Sequence, residues 1–169
     1  IGGDGTFLEA ATLVGPSGIP MLGINTGRLG FLAYVNSQNI SRAITQLLNH
    51  DYSIEKRMLL DVSAETPFYG DVNYCLNDFS ILKKSRLSMI KIKVFADDNY
   101  INTYWSDGLI IATPTGSPAY SLSCGGPIVT SQSNVMLITP IANHNLTGRP
   151  LVMSADSEIK ISIDSNEGN

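Results

Sequence analysis

Residues that commonly carry metal or redox chemistry are scarce in this chain. Of its 169 residues only two are cysteines, Cys75 and Cys124. They have no metal-ligand spacing, and two are too few for a disulfide framework. They read as reduced, buried thiols of a cytosolic protein. The two histidines are also isolated: His50 reads as a surface residue ending a helix, and His144 as a structural histidine bonding a loop. There is no HExxH, no Cys-x-x-Cys and no GxSxG. No apolar run approaches the roughly 20 residues of a membrane span, so no membrane partner is expected. No secretory leader is visible, since residue 1 is Ile and glycines follow at once. Positive charge is short as well. The formal net charge is −4, whereas a nucleic-acid-binding surface is normally basic. Apolar residues make up 43%, enough for a globular core rather than a disordered chain. No internal repeat or low-complexity tract stands out.

The sequence opens on IGGDGT, inside what reads as a strand-to-loop junction, as if it were a piece of a longer chain whose first strands are missing. Residues 1–5 form a glycine-rich turn. Residues 6–14 are expected to be a helix with Phe7, Leu8, Ala11 and Val14 on one face, started by a Thr6-x-x-Glu9 capping box. Gly15 to Gly18 should stop it. Residues 19–25 read as a short buried strand and 26–31 as a second glycine-punctuated loop. Ser37 is expected to cap an amphipathic helix carrying Ile40, Ala43, Ile44, Leu47 and Leu48. Residues 1–50 therefore have the texture of a partial α/β lobe. From residue 51 the pattern changes to strand-like runs: 52–65, a segment around 72–84, 89–96, 108–114, 135–141 and 158–164. Asp97, Asp98 and Asn99 mark a turn, and a helix is expected after Pro118. Residues 51–169 read as a β-rich lobe.

Four stretches could carry chemistry. In GGDGT, backbone amides at a tight turn that opens a helix suit a phosphate. Asp4 in that turn would repel one unless it held a metal ion, took a proton from an attacking hydroxyl, or simply bonded its own backbone. NTGRLGF places Arg28 between glycines, either for phosphate or as a solvated surface residue. Asn77-Asp78 could read an adenine edge and a ribose diol, or form an Asx turn. TPTGSPAY, at 113–120, is stiff and rich in hydroxyls. Pro114 and Pro118 each fix a φ angle, Gly116 permits close backbone approach, and Thr113, Thr115, Ser117, Tyr120, Ser121 and Ser123 offer hydroxyls. That describes a preorganised small-molecule site, or else a rigid connector.

Read together, these stretches resemble the NAD kinase family. The matching pieces are GGDGT at 2–6, NTGRLGF at 25–31, Asn77-Asp78, Asp107-Gly108, TPTGSPAY at 113–120, Gly125-Gly126-Pro127, TPIANHNL at 139–146 and Arg149-Pro150. They span nearly the whole chain. GGDGT is shared with lipid kinases, whereas the TPTGS-x-AY segment is the specific part. The resemblance implies a two-domain fold, an α/β N-terminal lobe followed by a mostly-β C-terminal lobe. It also implies phosphoryl transfer from ATP to the 2′-hydroxyl of the adenosine ribose of NAD, giving NADP. By the same resemblance Asp4 is the catalytic carboxylate, as base or through a divalent ion, Mg2+. Gly2, Gly3, Gly5, Thr6 and Arg28 would hold phosphates and ATP. Gly5, Phe31, Asn77, Asp78, Asp107, Thr115, Ala119, Tyr120 and Ser123 would bind NAD, with Asp107 at the nicotinamide end. The expected state is a cytoplasmic homo-oligomer, a dimer or tetramer.

Two positions depart from the family pattern. Asp78 stands for a glutamate, one methylene shorter. Pro118 stands for a threonine, which removes a hydroxyl and an amide donor. Two rivals follow: a lipid kinase of the diacylglycerol or sphingosine type, and a non-catalytic dinucleotide-binding protein.

Overall fold

The structure is a computed structural model that describes residues 1–27, 30–64, 72–84, 88–145 and 148–164. The chain forms two compact units, Ile1–Lys56 with Pro67–Tyr74, and Arg57–Thr66 with Cys75–Asn169.

The first unit is built on helix α1 (Asp4–Val14). The helix starts two residues earlier than the capping-box pattern suggests. Gly3 is the N-cap, no side chain caps the helix, and the Phe7 amide donates to the Gly3 carbonyl at 3.1 Å. Thr6 therefore sits inside the first turn, where it cannot cap. The chain is brought to this early start by the Gly2 amide, which donates to the Ile24 carbonyl at 2.9 Å. At the other end Gly15 and Gly18 adopt left-handed φ values of 52° and 73°, flanking a 3-10 turn over Gly15–Ser17. The Tyr74 hydroxyl takes up one of the last carbonyls, donating to Thr12 at 2.6 Å.

Strand β1 (Ile24–Asn25) pairs in parallel with β2 (Val35–Asn36). The expected buried strand over 19–25 is thus only its last two residues, and Ile19 and Leu22 are exposed. β2 is two residues long, so it offers the earlier residues no ladder to join. Helix α2 (Ile40–Leu48) follows a 3-10 turn at Ser37–Asn39. Asn36 caps the 3-10 turn, its side chain accepting from the Asn39 amide at 3.1 Å, and α2 itself starts from Asn39 with no side-chain cap, so Ser37 is not the cap. The expected apolar stripe is present, but Ile44, Leu47 and Leu48 face outward from the described residues.

The remaining strands are β3 (Leu60–Asp61), β4 (Tyr74–Cys75), β5 (Asp78–Leu82), β6 (Ile90–Ala96), β7 (Asn99–Ser106), β8 (Gly108–Ala112), β9 (Val135–Ile141), β10 (Leu151–Ser154) and β11 (Ile159–Asp164). The run 52–65 yields only β3 among its described residues, because the chain leaves the first unit after Lys56 and enters the second at Arg57. Ile54, in the first, is exposed, whereas Met58 and Leu60, in the second, pack on its core. Two antiparallel sheets organise the second unit, ordered β10-β9-β8-β5 and β11-β6-β7. Ile92, Val94 and Tyr104 from the second sheet meet Leu109, Ile111, Met136 and Ile138 from the first in one core. The opposite face of the first sheet, Ile110, Ala112 and Leu137, packs with Cys124, Val129 and Ile141. β8 is therefore covered on both faces, which is why GLIIA is an unbroken apolar run.

The β6–β7 connection is a two-residue turn. Ala96 pairs with Asn99, and Asp97 and Asp98 take φ values of 48° and 65°. Two successive left-handed residues are what a type I′ hairpin requires. β11 secures the turn: the Glu158 amide donates to the Asp97 carboxylate at 2.9 Å, and Lys160 pairs with Asp98 at 2.6 Å.

Candidate functional site

In the first unit the loop residues gather around Asp4. This residue opens α1, and its carboxylate reaches across to the segment after NTGRLG. The Phe31 amide donates to one oxygen at 2.7 Å, and the Leu32 and Ala33 amides donate to the other at 3.1 and 3.3 Å. Gly30 lies against the same carboxylate so closely that a Cβ there would fall onto it. The concern that a carboxylate would disturb a phosphate-type loop thus has a structural answer: this one is tied to three amides of its own chain. The first turn of α1 lacks a side-chain cap, so the amides at the helix start have no side-chain competitor for an anion. The Phe31 side chain is exposed beside them. Arg28 lies outside the described residues.

In the second unit the loop leaving β8 folds back on the residues that precede β5. Thr113 is fully buried; its amide donates to the Asn77 carbonyl at 2.8 Å and its hydroxyl to the Leu76 carbonyl at 2.5 Å. The same hydroxyl accepts from the Gly116 amide at 3.2 Å. Gly116 packs on the Asn77 backbone with no room for a Cβ. Asn77, Asp78 and the 113–116 loop are therefore one assembly, although about 35 residues separate them in sequence.

Three of the loop's six hydroxyls, those of Thr113, Ser117 and Ser121, are held in buried bonds within the chain. Ser117 donates to the Pro114 carbonyl at 2.8 Å, Ser121 bonds Thr139 at 2.8 Å, and both serines are fully buried. Thr115 is buried and accepts from Arg57 at 3.3 Å. Tyr120 and Ser123 remain exposed. The helix expected after Pro118 is a short, wide turn over Ser117–Ser121, interrupted at Ala119, where φ is −92° and ψ −124°. Ala119 is half-buried.

Two polar side chains, Asn77 and Asp78, stand at the base of this loop. The Asn77 side-chain oxygen is covered and unpaired. Burial pushes the Asp78 carboxyl above the ordinary carboxylate range. The Cys75 thiol is pushed up to about 11, by burial first and then by the Asp78 charge. Cys124 is raised by the same two causes.

Family models match the two parts of the chain: the ATP-NAD kinase N-terminal domain over residues 1–52 and the ATP-NAD kinase C-terminal domain over residues 76–169. The chain belongs to the ATP-NAD kinase family. Similar curated proteins include the NAD kinase of Flavobacterium psychrophilum, 50% identical over 100% of this chain and 58% of the relative. The NAD kinase of Bacteroides fragilis is 47% identical with the same coverage. The chain thus spans 58% of the length of these relatives. Among solved structures it resembles yeast NADH kinase complexed with NADH, with a TM-score of 0.88 and 30% identity over 97% of this chain and 49% of that one. It also resembles an NAD kinase from Archaeoglobus fulgidus in complex with ATP, with a TM-score of 0.79 and 26% identity over 96% and 63%. The two-domain NAD kinase-like fold is as expected, and the lipid-kinase rival is not favoured.

In this ATP-NAD kinase chain, Asp107 is placed between β7 and β8. It is not free: Lys83 pairs with its carboxylate at 2.5 Å, and their backbones bond at 2.9 Å. Lys83, Arg57 and Thr139 are the site-region residues that sequence reasoning missed. The β5–β8 register, with Leu82 opposite Gly108, is what brings Lys83 to Asp107, and register is not visible in a single chain. Gly2, Gly3, Gly5 and Thr6 cluster at the start of α1. They belong to a different unit from Asn77, Asp78, Asp107, Thr115, Ala119, Tyr120 and Ser123.

Proposed function

We propose that the protein carrying this chain is an NAD kinase, which transfers a phosphoryl group from ATP to the 2′-hydroxyl of the adenosine ribose of NAD. The observation that carries this reading is the geometry of Asp4. A carboxylate offers about four acceptor positions, and three amides use three of them. One position is left for a hydroxyl proton, on a side chain too firmly held to swing away. Asp4 accepts that proton as the ribose oxygen attacks. Gly2, Gly3, Gly5 and Thr6 offer amides at a helix start to phosphate oxygens, and Arg28 adds positive charge.

Asn77 and Asp78 take the adenosine part. The Asn77 side-chain oxygen is an acceptor without a donor, the Asp78 carboxylate is a second acceptor, and a ribose diol supplies hydrogens. In the second unit Tyr120, Ala119 and Ser123 contact NAD, Thr115 holds the loop and Asp107 serves the nicotinamide end; in the first unit Gly5 and Phe31 are the NAD contacts. No cluster of three or more His, Cys, Asp or Glu that could hold a metal ion exists among the described residues. These residues do not form a protein-built Mg2+ cage. A magnesium ion accompanying ATP would rest mainly on phosphate oxygens. No helix among the described residues is long and apolar enough to cross a membrane. The reading extends to a cytoplasmic homo-oligomer.

A coupled assay with an NADP-specific dehydrogenase tests the function on the full-length protein. NADP formation dependent on both ATP and NAD is expected. Binding of NAD with no NADP formed would establish the non-catalytic reading instead.

A further inference from the structure

We infer that Gly30 is a positioning residue for Asp4, and that the missing side chain at this position is what lets three consecutive amides orient the carboxylate. The inference rests on the reading of Asp4 as the group that takes the ribose proton. The Phe31, Leu32 and Ala33 amides converge on Asp4 at 2.7, 3.1 and 3.3 Å. Three consecutive donors reach one carboxylate only if the chain passes directly against it, and Gly30 is the residue at that point of passage. A Cβ at Gly30 would overlap both carboxylate oxygens and the carbon between them. The obstacle is the functional group itself, not neighbouring packing. An alanine at 30 must therefore move either the carboxylate or the amide row, and either breaks the alignment. A displacement of about 1 Å at a reacting group can cost on the order of 10²-fold in rate. The glycine within NTGRLG then has a chemical reason, separate from any ligand contact of its own.

A double-mutant cycle on the full-length protein tests this, using Gly30→Ala, Asp4→Asn and the combined variant, with kcat and KM for NAD and ATP measured for each. Gly30→Ala should lower kcat by about 10²-fold, with KM for ATP changing less than about threefold. In the Asp4→Asn background the same substitution should cost less than about threefold, because its target is already disabled. A Gly30→Ala effect of equal size in both backgrounds would show general loop damage and overturn the inference. A near-normal kcat for Asp4→Asn would instead overturn the reading of Asp4. Amide hydrogen exchange supplies an answer that does not depend on activity or on Gly30→Ala folding. Asp4→Asn replaces an acceptor oxygen by an NH2 group, so exchange at residues 31–33 should accelerate at least tenfold relative to the wild type. Unchanged protection there would mean that the carboxylate does not hold the amide row, and the inference would fail.

Discussion

The glycine loop before α1 and the 113–123 loop after β8 both look in sequence like ligand cradles, and they are held in place differently. In the first, the tie is the side chain with chemical capacity: Asp4 grips the 31–33 amides while remaining only half-buried. In the second, the ties are Thr113, Ser117 and Ser121, all fully buried, and the groups open to a ligand are others. One loop combines scaffold and chemistry in a single residue. The other separates them, with a rigid hydroxyl-bonded base beneath an exposed edge at Tyr120 and Ser123. Substitutions in the first loop should therefore change rate and order together, whereas those in the second should divide by depth.

Among the glycine substitutions, the largest stability effect is expected from Gly116→Ala. The added methyl meets the Asn77 backbone, which has no flexible end to yield. Overpacking of this kind costs about 1–3 kcal/mol, read as a lower melting temperature. No change would mean that the loop does not rest on Asn77 as described.

Gly5→Ala sharpens the contrast in the opposite direction. Gly5 lies within α1, and a Cβ there meets nothing within 4 Å. Alanine should stabilise the helix by roughly 0.5–1 kcal/mol. If the glycine serves close approach by a phosphate, the same variant should bind ATP more weakly in titration calorimetry. Tighter folding with unchanged ATP affinity would remove Gly5 from the site.

Pro118→Thr should have a smaller effect. One neutral hydrogen bond is worth about 0.5–1.5 kcal/mol, and the stiffness of proline returns about 0.4–1 kcal/mol. NAD affinity should change by less than about tenfold, with a slightly lower melting temperature. A much larger gain would show that proline has impaired the site.

Least affected should be the thiols. Cys75 is pushed up to about 11 and Cys124 is raised, so neither holds much thiolate at pH 8. Alkylation of Cys75 by iodoacetamide should be slow in the folded protein at pH 8 and become fast only near pH 11 or on unfolding. Rapid labelling of Cys75 at pH 8 would contradict its raised pKa.

The strands of the second unit were legible because their residues alternate or, in β8, stay apolar throughout, and the Asp97-Asp98 turn announced itself by residue type. The α1 start was misjudged because a local pattern, Thr6-x-x-Glu9, lost to a long-range bond from Gly2 to Ile24. The strand over 19–25 was overread because hydrophobicity does not supply a pairing partner. In the site, the motifs pointed to the right stretches but not to the division of labour within them. A buried serine and an exposed serine look alike in a sequence; Ser121 and Ser123 differ only once the fold turns one toward Thr139. Lys83 and Arg57 reach their partners through register and a long connection, and neither leaves a local signal.

The comparison is tested most directly by measuring kcat for NADP formation and the melting temperature on two full-length variants, Asp4→Asn and Thr113→Val. Asp4→Asn should lose about 10²-fold or more in kcat, the scale of general base catalysis. Thr113→Val leaves the Leu76 carbonyl and the Gly116 amide unpaired, which costs about 1–3 kcal/mol of stability for each group, with kcat within about threefold of wild type at a temperature where both are folded. Near-normal turnover in Asp4→Asn, or a collapse of kcat in a folded Thr113→Val, would contradict the assignment of chemistry to one loop and scaffold to the other.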